Sequence, residues 1–173
     1  MLFIGEAPGE SEDALGFPFV GAAGREFDEL VDAAAEQCGK YRARPEPPIE
    51  DLFKAVPGGV FTIGITNILA CIPRTSEEMA TGEIRPPHKE EAAACQPRLL
   101  EIIKMANPKA IVCLGRVAAR FLPKNLPTSE RVRIQILDHP SAILRNEIPS
   151  HQALMRKKFI IALSKVLQEI SNV

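Results

Sequence analysis

Four short apolar runs, each ending at a glycine or at polar residues, punctuate this chain. Leu2-Phe3-Ile4 stops at Gly5, and Val60–Ile65 runs into Thr66-Asn67. Lys109–Leu114 stops at Gly115, and Val132–Leu137 runs into Asp138-His139-Pro140-Ser141. Apolar runs of this length bounded by turn residues predict buried strands. Between them, Phe27, Leu30, Val31 and Ala34 recur at helical spacing and predict a helix over Arg25–Gln37. Lys89–Met105 is helical in pattern, with Pro97 predicting a break or a kink, because proline has no N–H and crowds the preceding turn. A short helix follows Gly115 to Phe121, and Ala153–Ile170 closes the chain as an amphipathic helix. Residues 5–24 read as a loop through Pro8, Gly9, Gly16, Pro18, Gly21 and Gly24. Residues 39–58 read as a long connection with one helical turn around Ile49–Ala55, and 72–88 as an irregular, proline-bearing excursion.

Strands alternating with helices predict an α/β fold, a parallel sheet covered by helices on both faces. In such folds ligands bind outside the carboxyl ends of the strands. Three of the four predicted strand ends are polar or glycine-rich: Gly5-Glu6-Ala7-Pro8-Gly9, Thr66-Asn67 and Asp138-His139-Pro140-Ser141. They are expected to converge on one cleft.

Composition narrows the class without naming a function. A length of 173 residues suits one domain spanning 1–173. Hydrophobic residues at 46% and charged residues at 25% are a globular mix, which excludes disordered and collagen-like chains. No apolar run approaches the ~18 residues that cross a bilayer, and the N-terminus lacks a basic-then-apolar signal pattern. A soluble, cytoplasmic protein is expected. Net charge is −1, but its distribution is uneven. Residues 1–97 carry 8 basic and 17 acidic side chains, and residues 98–173 carry 13 basic and 5 acidic. A basic C-terminal half is either a polyanion footprint or a set of solvated helix faces.

The four cysteines, Cys38, Cys71, Cys95 and Cys113, form no CxxC pair, which argues against a disulfide framework. Cys113 lies inside an apolar run and reads as a small buried hydrophobe.

The strand ends carry the candidate chemistry. The first loop lacks both the Gly-Lys-Ser/Thr ending of a phosphate loop and the GxGxxG pattern. Its glycines bracket Glu6, which suits close backbone approach to a ligand with one carboxylate aimed at it; a plain turn with a solvent-facing Glu is the alternative. Asn67 can read a planar amide edge, since its side chain both donates and accepts, or it can form a local turn or cap. His139 suits a general acid or an electrophilic donor, or a simple packing role. Phe19 is either a core plug or a stacking platform. His88 and His151 have no comparable setting.

The strings GEAPGESEDALGFPFVGAAG (5–24), TNILAC (66–71), EEAAACQPRLLEIIKMANPKAIVCLG (90–115) and HPSAILR (139–145) resemble the uracil-DNA glycosylase superfamily, in the family's order and over nearly the whole chain. The similarity is closest to the iron–sulfur uracil-DNA glycosylases. The resemblance implies a three-layer αβα sandwich on a central four-stranded parallel sheet. It implies hydrolysis of the N-glycosidic bond of a pyrimidine flipped out of DNA. By position, Glu6 would orient or activate the attacking water, and Ala7 and Pro8 would line the pocket. Phe19 would stack on the base, Asn67 would read its Watson–Crick edge, and His139 would donate to the pyrimidine O2. Gly9, Ser141, Leu144 and Arg145 would contact DNA, Leu144 as a wedge and Arg145 on a phosphate. Uracil-containing DNA is the implied partner and a monomer the implied state, with no membrane involved.

Three features depart from the family. Of the four thiolates of an iron–sulfur site, only Cys71 and Cys95 match, so no cofactor is expected and a [4Fe-4S] cluster would need further ligands. The stretch between those cysteines is long, and Ser76–Pro87 is expected to border DNA. It lacks the Lys-Arg-Arg-Ile-His motif of a branch that traps uracil covalently, so trapping is not expected. Asp138, beside His139, is expected to raise the histidine's pKa and favour imidazolium. It leaves a modified pyrimidine of phage DNA, hence phage defence, as an alternative to uracil. A non-catalytic DNA-binding module and a nucleotide- or phosphate-binding enzyme are the readings from other classes.

Overall fold

The structure, a computed structural model, describes residues 1–42, 60–75 and 82–170. The helical turn expected around Ile49–Ala55 lies outside them. Four strands form one all-parallel sheet: β1 (Leu2–Gly5), β4 (Gly64–Asn67), β5 (Ala110–Leu114) and β6 (Arg133–Leu137), in the order β4-β1-β5-β6. The helices are α1 (Glu10–Leu15), α2 (Ala22–Gln37), α3 (Lys89–Ala106), α4 (Arg116–Phe121), α5 (Pro140–Leu144) and α6 (Pro149–Glu169). A separate pair of two-residue strands, β2 (Tyr41–Arg42) and β3 (Val60–Phe61), runs parallel beside it.

Alternation within the strands builds the layers, because successive side chains point to opposite faces. Phe3, Val112 and Leu114 join Phe27, Leu30 and Val31 of α2 and Phe159, Leu163 and Leu167 of α6. Leu2, Ile4, Ile111 and Cys113 join Leu99 and Ile103 of α3 and Ala118 of α4. Phe3 and Phe27 meet edge to face, with ring centroids 4.8 Å apart. A sheet buried on both faces explains why β1 and β5 read as unbroken apolar runs. The edge strand β6 departs from that expectation, with Arg133, Ile134 and Ile136 exposed.

Four further differences from the sequence reading have identifiable causes. The run Val60–Ile65 is two strands, since β1 pairs with β4 only from Leu2↔Gly64 onward and Val60–Phe61 pairs with Tyr41–Arg42 instead. The loop 5–24 contains α1, started at Gly9 and stopped at Gly16, which takes the left-handed conformation at φ +74°. Pro97 does not break α3: it lies on the exposed face, where water can satisfy the carbonyl one turn back. Pro140 opens α5 directly after His139, and α6 begins at Pro149, both prolines using the first-turn position that needs no N–H donor.

The chain leaves β1 for β4 on one side and crosses to β5 on the other. The topology thus switches at β1, and ligands in such sheets bind outside the carboxyl ends of the strands.

Candidate active site

The ends of β1, β4 and β6 open into one cleft of about 370 Å³. Of the residues singled out in the sequence, Glu6, Ala7, Pro8, Gly9, Phe19, Asn67, His139, Ser141 and Arg145 line it. Leu144 is exposed on α5 next to Arg145 but is not part of the lining. Ile84 and Arg85, from the stretch expected to border DNA, also line it, and so do Glu12, Ala23 and Pro73, which carried no functional reading in the sequence.

Glu12 organises the first wall. One carboxylate oxygen accepts from the Gly9 N–H at 3.1 Å, and the other accepts from the Gly21 N–H at 2.8 Å. A single side chain thus caps the starts of both α1 and α2 and fixes the intervening segment that carries Phe19. The bond from the Gly9 N–H to Glu12 is one half of a capping box, since glycine has no side chain to supply the other half. Phe19 itself sits at φ +58°, a conformation unusual for a bulky residue, of the kind that concentrates at functional sites. Its ring packs on Phe27 at 5.2 Å and lies 6.0 Å from the His139 ring. Close packing holds it there: a Cβ on Gly24 would lie 1.7 Å from the Phe19 carbonyl oxygen. A Cβ on Gly5 would lie 2.3 Å from Asn67 Oδ1, so the amide of Asn67 is seated against bare backbone.

His139 caps α5. The Ser141 backbone N–H donates to its Nδ1 at 3.2 Å, and the Ser141 hydroxyl lies 2.9 Å from the same atom. A ring nitrogen that accepts an N–H carries no proton, so the neutral imidazole has its proton on Nε2. Burial pulls the His139 pKa down to about 4, with the Arg145 charge acting in the same direction and Glu12 opposing it. This corrects the expectation that Asp138 would favour imidazolium. Asp138 is exposed to water, and burial with Arg145 decides the charge state.

A stability consequence follows from linkage. The unfolded chain takes up a proton at His139 below its ordinary 6.5, while the folded chain stays neutral down to about 4. Between those values the unfolded state binds more protons, so stability falls as pH falls, by about 3 kcal/mol across the window. Denaturant titrations from pH 7 to pH 4 should show this slope, and His139→Asn should remove that part of it.

Glu6 is held above its ordinary 4.5 by burial, with Arg145 partly restoring it. Arg85, by contrast, is already committed. Its guanidinium grips Glu91 with two bonds of 2.9 and 2.8 Å, and the carboxyl of Glu91 falls to about 2, chiefly through that contact. Paired bonds also run between 73–75 and 83–85, including Thr75 N–H to Glu83 and Arg85 N–H to Pro73. They set Ile84 against the cleft while leaving it half exposed. Residues 76–81 lie outside the described residues.

The cysteines do not assemble. Cys71 is exposed after β4, and Cys95 is partly buried against the α3 core. Among the described residues no group of three or more His, Cys, Asp or Glu is placed to hold a metal ion. Two thiolates do not fit a four-thiolate cluster. Cys113 is buried, its thiol pushed up to about 11. No helix among the described residues is long and apolar enough to cross a membrane.

Comparison with known proteins adds a family. A profile described as "Uracil DNA glycosylase superfamily" matches residues 1–169. A type-4 uracil-DNA glycosylase of Pyrobaculum aerophilum is 31% identical over 163 residues, covering 84% of this chain and 68% of its own. One from Archaeoglobus fulgidus is 35% identical over 122 residues, covering 70% of this chain and 46% of its own. The chain thus spans between about half and two thirds of these relatives. The crystal structure of wild-type Pedobacter heparinus SMUG2 matches at a TM-score of 0.45 and 15% identity, covering 99% of this chain and 76% of its own. A likeness that weak adds nothing to the assignment.

Proposed function

We propose that this chain, which belongs to the uracil DNA glycosylase superfamily, is a DNA glycosylase that hydrolyses the N-glycosidic bond of a flipped-out uracil and leaves an abasic site. The observation that carries the reading is the meeting of Glu6, Asn67, Phe19 and the Nε2–H edge of His139 around one cleft at the carboxyl ends of the strands. The type-4 uracil-DNA glycosylases among its relatives supply the substrate class.

A base inside a duplex is out of reach of such a cleft, so the nucleotide must leave the stack, at a cost of a few kcal/mol. Exposed Leu144 fills the gap, and the Arg145 cation beside it holds a phosphate. Phe19 stacks on the base while the Asn67 amide accepts from N3–H and donates to O4 of uracil. The N1–C1′ bond then breaks with its electron pair passing to the base, and negative charge builds on O2. His139 meets that oxygen with a neutral Nε2–H, the same arrangement as a donor in an oxyanion hole. Ionised Glu6 faces the cationic sugar, and it takes the proton of the water whose oxygen bonds to C1′.

The test is a single-turnover assay with alkali treatment on labelled oligonucleotides carrying one uracil, one hydroxymethylated or glucosylated pyrimidine, or normal bases only. Strand breaks at uracil alone are expected. Breaks confined to a modified pyrimidine would move the substrate but keep the chemistry. DNA binding with no breaks on any strand would overturn the enzymatic reading.

A further inference from the structure

The end of β4 that carries Asn67 is bonded by a side chain of α3. Thr66 and Asn67, at the end of β4, are 6% and 8% exposed, and buried polar groups need partners. Arg98, on α3, supplies them. One terminal nitrogen donates to the Asn67 carbonyl oxygen at 2.6 Å and to the Ile68 carbonyl at 3.4 Å, and the other donates to the Thr66 hydroxyl at 3.3 Å. Its Nε is buried without a partner among the described residues, and no carboxylate pairs with Arg98 among them. A guanidinium taken partly out of water with no counter-charge is costly to keep. Ordinary packing does not explain it, because a Leu or Met at this position of α3 would cover the same surface.

We infer that Arg98 is a positioning residue: its fork locks the carboxyl end of β4 so that the Asn67 amide is held in the orientation that selects the base. Two constraints then converge on Asn67. From the cleft side, bare Gly5 leaves room for Oδ1 in one place. From the α3 side, Arg98 fixes the main chain from which that side chain springs. The orientation matters because an amide reads uracil in one sense only. Turned over, it offers a donor to N3 and an acceptor to the exocyclic group, which matches cytosine. Arg98 therefore acts on discrimination between the two pyrimidines, through Asn67, and does not touch the base. Lysine can replace one of the fork's bonds but cannot span Thr66 and Asn67 together.

The inference rests on the glycosylase reading, and the experiment separates the two. Wild-type protein, Arg98→Met, Arg98→Lys and Thr66→Val are compared by single-turnover cleavage of uracil- and cytosine-containing oligonucleotides and by inhibition with free uracil. The side-chain amide signal of Asn67 is followed by NMR in each. Arg98→Met is expected to weaken inhibition by uracil by about tenfold, the scale of one buried hydrogen bond lost, and to lower the uracil-to-cytosine rate ratio. Its Asn67 amide signal should shift or broaden, and Arg98→Lys should recover part of each effect. Thr66→Val, which removes one bond and keeps the rest, gives a smaller change in the same direction and serves if Arg98→Met does not fold. A folded Arg98→Met protein with unchanged uracil inhibition, rate ratio and Asn67 signal overturns the inference. Wild-type protein that leaves uracil in place overturns the glycosylase reading instead, and the Asn67 signal then still decides the role of Arg98.

Discussion

Replacing His139 by alanine is expected to slow single-turnover release of uracil by about 10²–10³-fold, the usual cost of deleting one donor to a developing oxyanion. Substrate binding should weaken far less, because the ground-state carbonyl carries little of the charge that Nε2–H answers. Such a donor must be neutral and in one tautomer, and two independent features impose this. The Ser141 N–H occupies Nδ1 and leaves the proton on Nε2. Burial with Arg145 nearby keeps the ring uncharged well below neutral pH. A neutral donor has a further advantage beside Arg145, since a second cation would be repelled and would surrender its proton to water. Gel-based cleavage under enzyme excess measures the effect, with Tm recorded for both proteins. A folded His139→Ala protein within tenfold of wild type would remove His139 from the mechanism.

Much of this site was legible in the sequence because the chemistry sits where strands end. Glu6, Asn67 and His139 each follow an apolar run, and parallel topology brings the carboxyl ends of such runs to one side of a sheet. The layers were legible for a similar reason, as β1 and β5 are apolar at every position and demand cover on both faces. What escaped depends on contacts between distant segments. Nothing local to Val60–Ile65 says that the run divides, because the division is set by where β1 begins to pair with β4. Arg98 is an ordinary helix residue in the sequence, and only the packing of α3 against the end of β4 gives it three partners.

Charge states were the least legible feature. Asp138 is adjacent to His139 in the chain, yet a side chain facing water acts weakly on the half-buried ring. Arg145, six residues away and lining the same cleft, acts on both His139 and Glu6. Glu12 joins both ranges: its bond to Gly9 is local, but its second bond, to Gly21, crosses nine residues and is what secures Phe19. Sequence proximity and electrostatic proximity are different quantities, and the cleft is governed by the second.

Glu6→Gln is expected to reduce single-turnover cleavage by about 10²–10⁴-fold, the range for loss of a positioned general base. In the proposed mechanism ionised Glu6 is needed twice, to face positive charge on the sugar and to accept the proton of the attacking water, and glutamine does neither. The pH profile carries the sharper test. Burial holds Glu6 above its ordinary 4.5, whereas His139 titrates only at about 4. As pH falls, Glu6 therefore protonates first, and the wild-type rate should decline tenfold per unit below its raised pKa. The Glu6→Gln protein should lack that limb. Arg145 opposes the effect of burial on Glu6, so Arg145→Met should raise the Glu6 pKa and move the limb to higher pH. If Arg145 served only to hold a phosphate, Arg145→Met would weaken DNA binding and leave the limb in place. Rates at saturating enzyme, measured from pH 4.5 to pH 8, distinguish the two: a limb that shifts upward ties Arg145 to the ionisation of Glu6, and a limb that stays still severs that link.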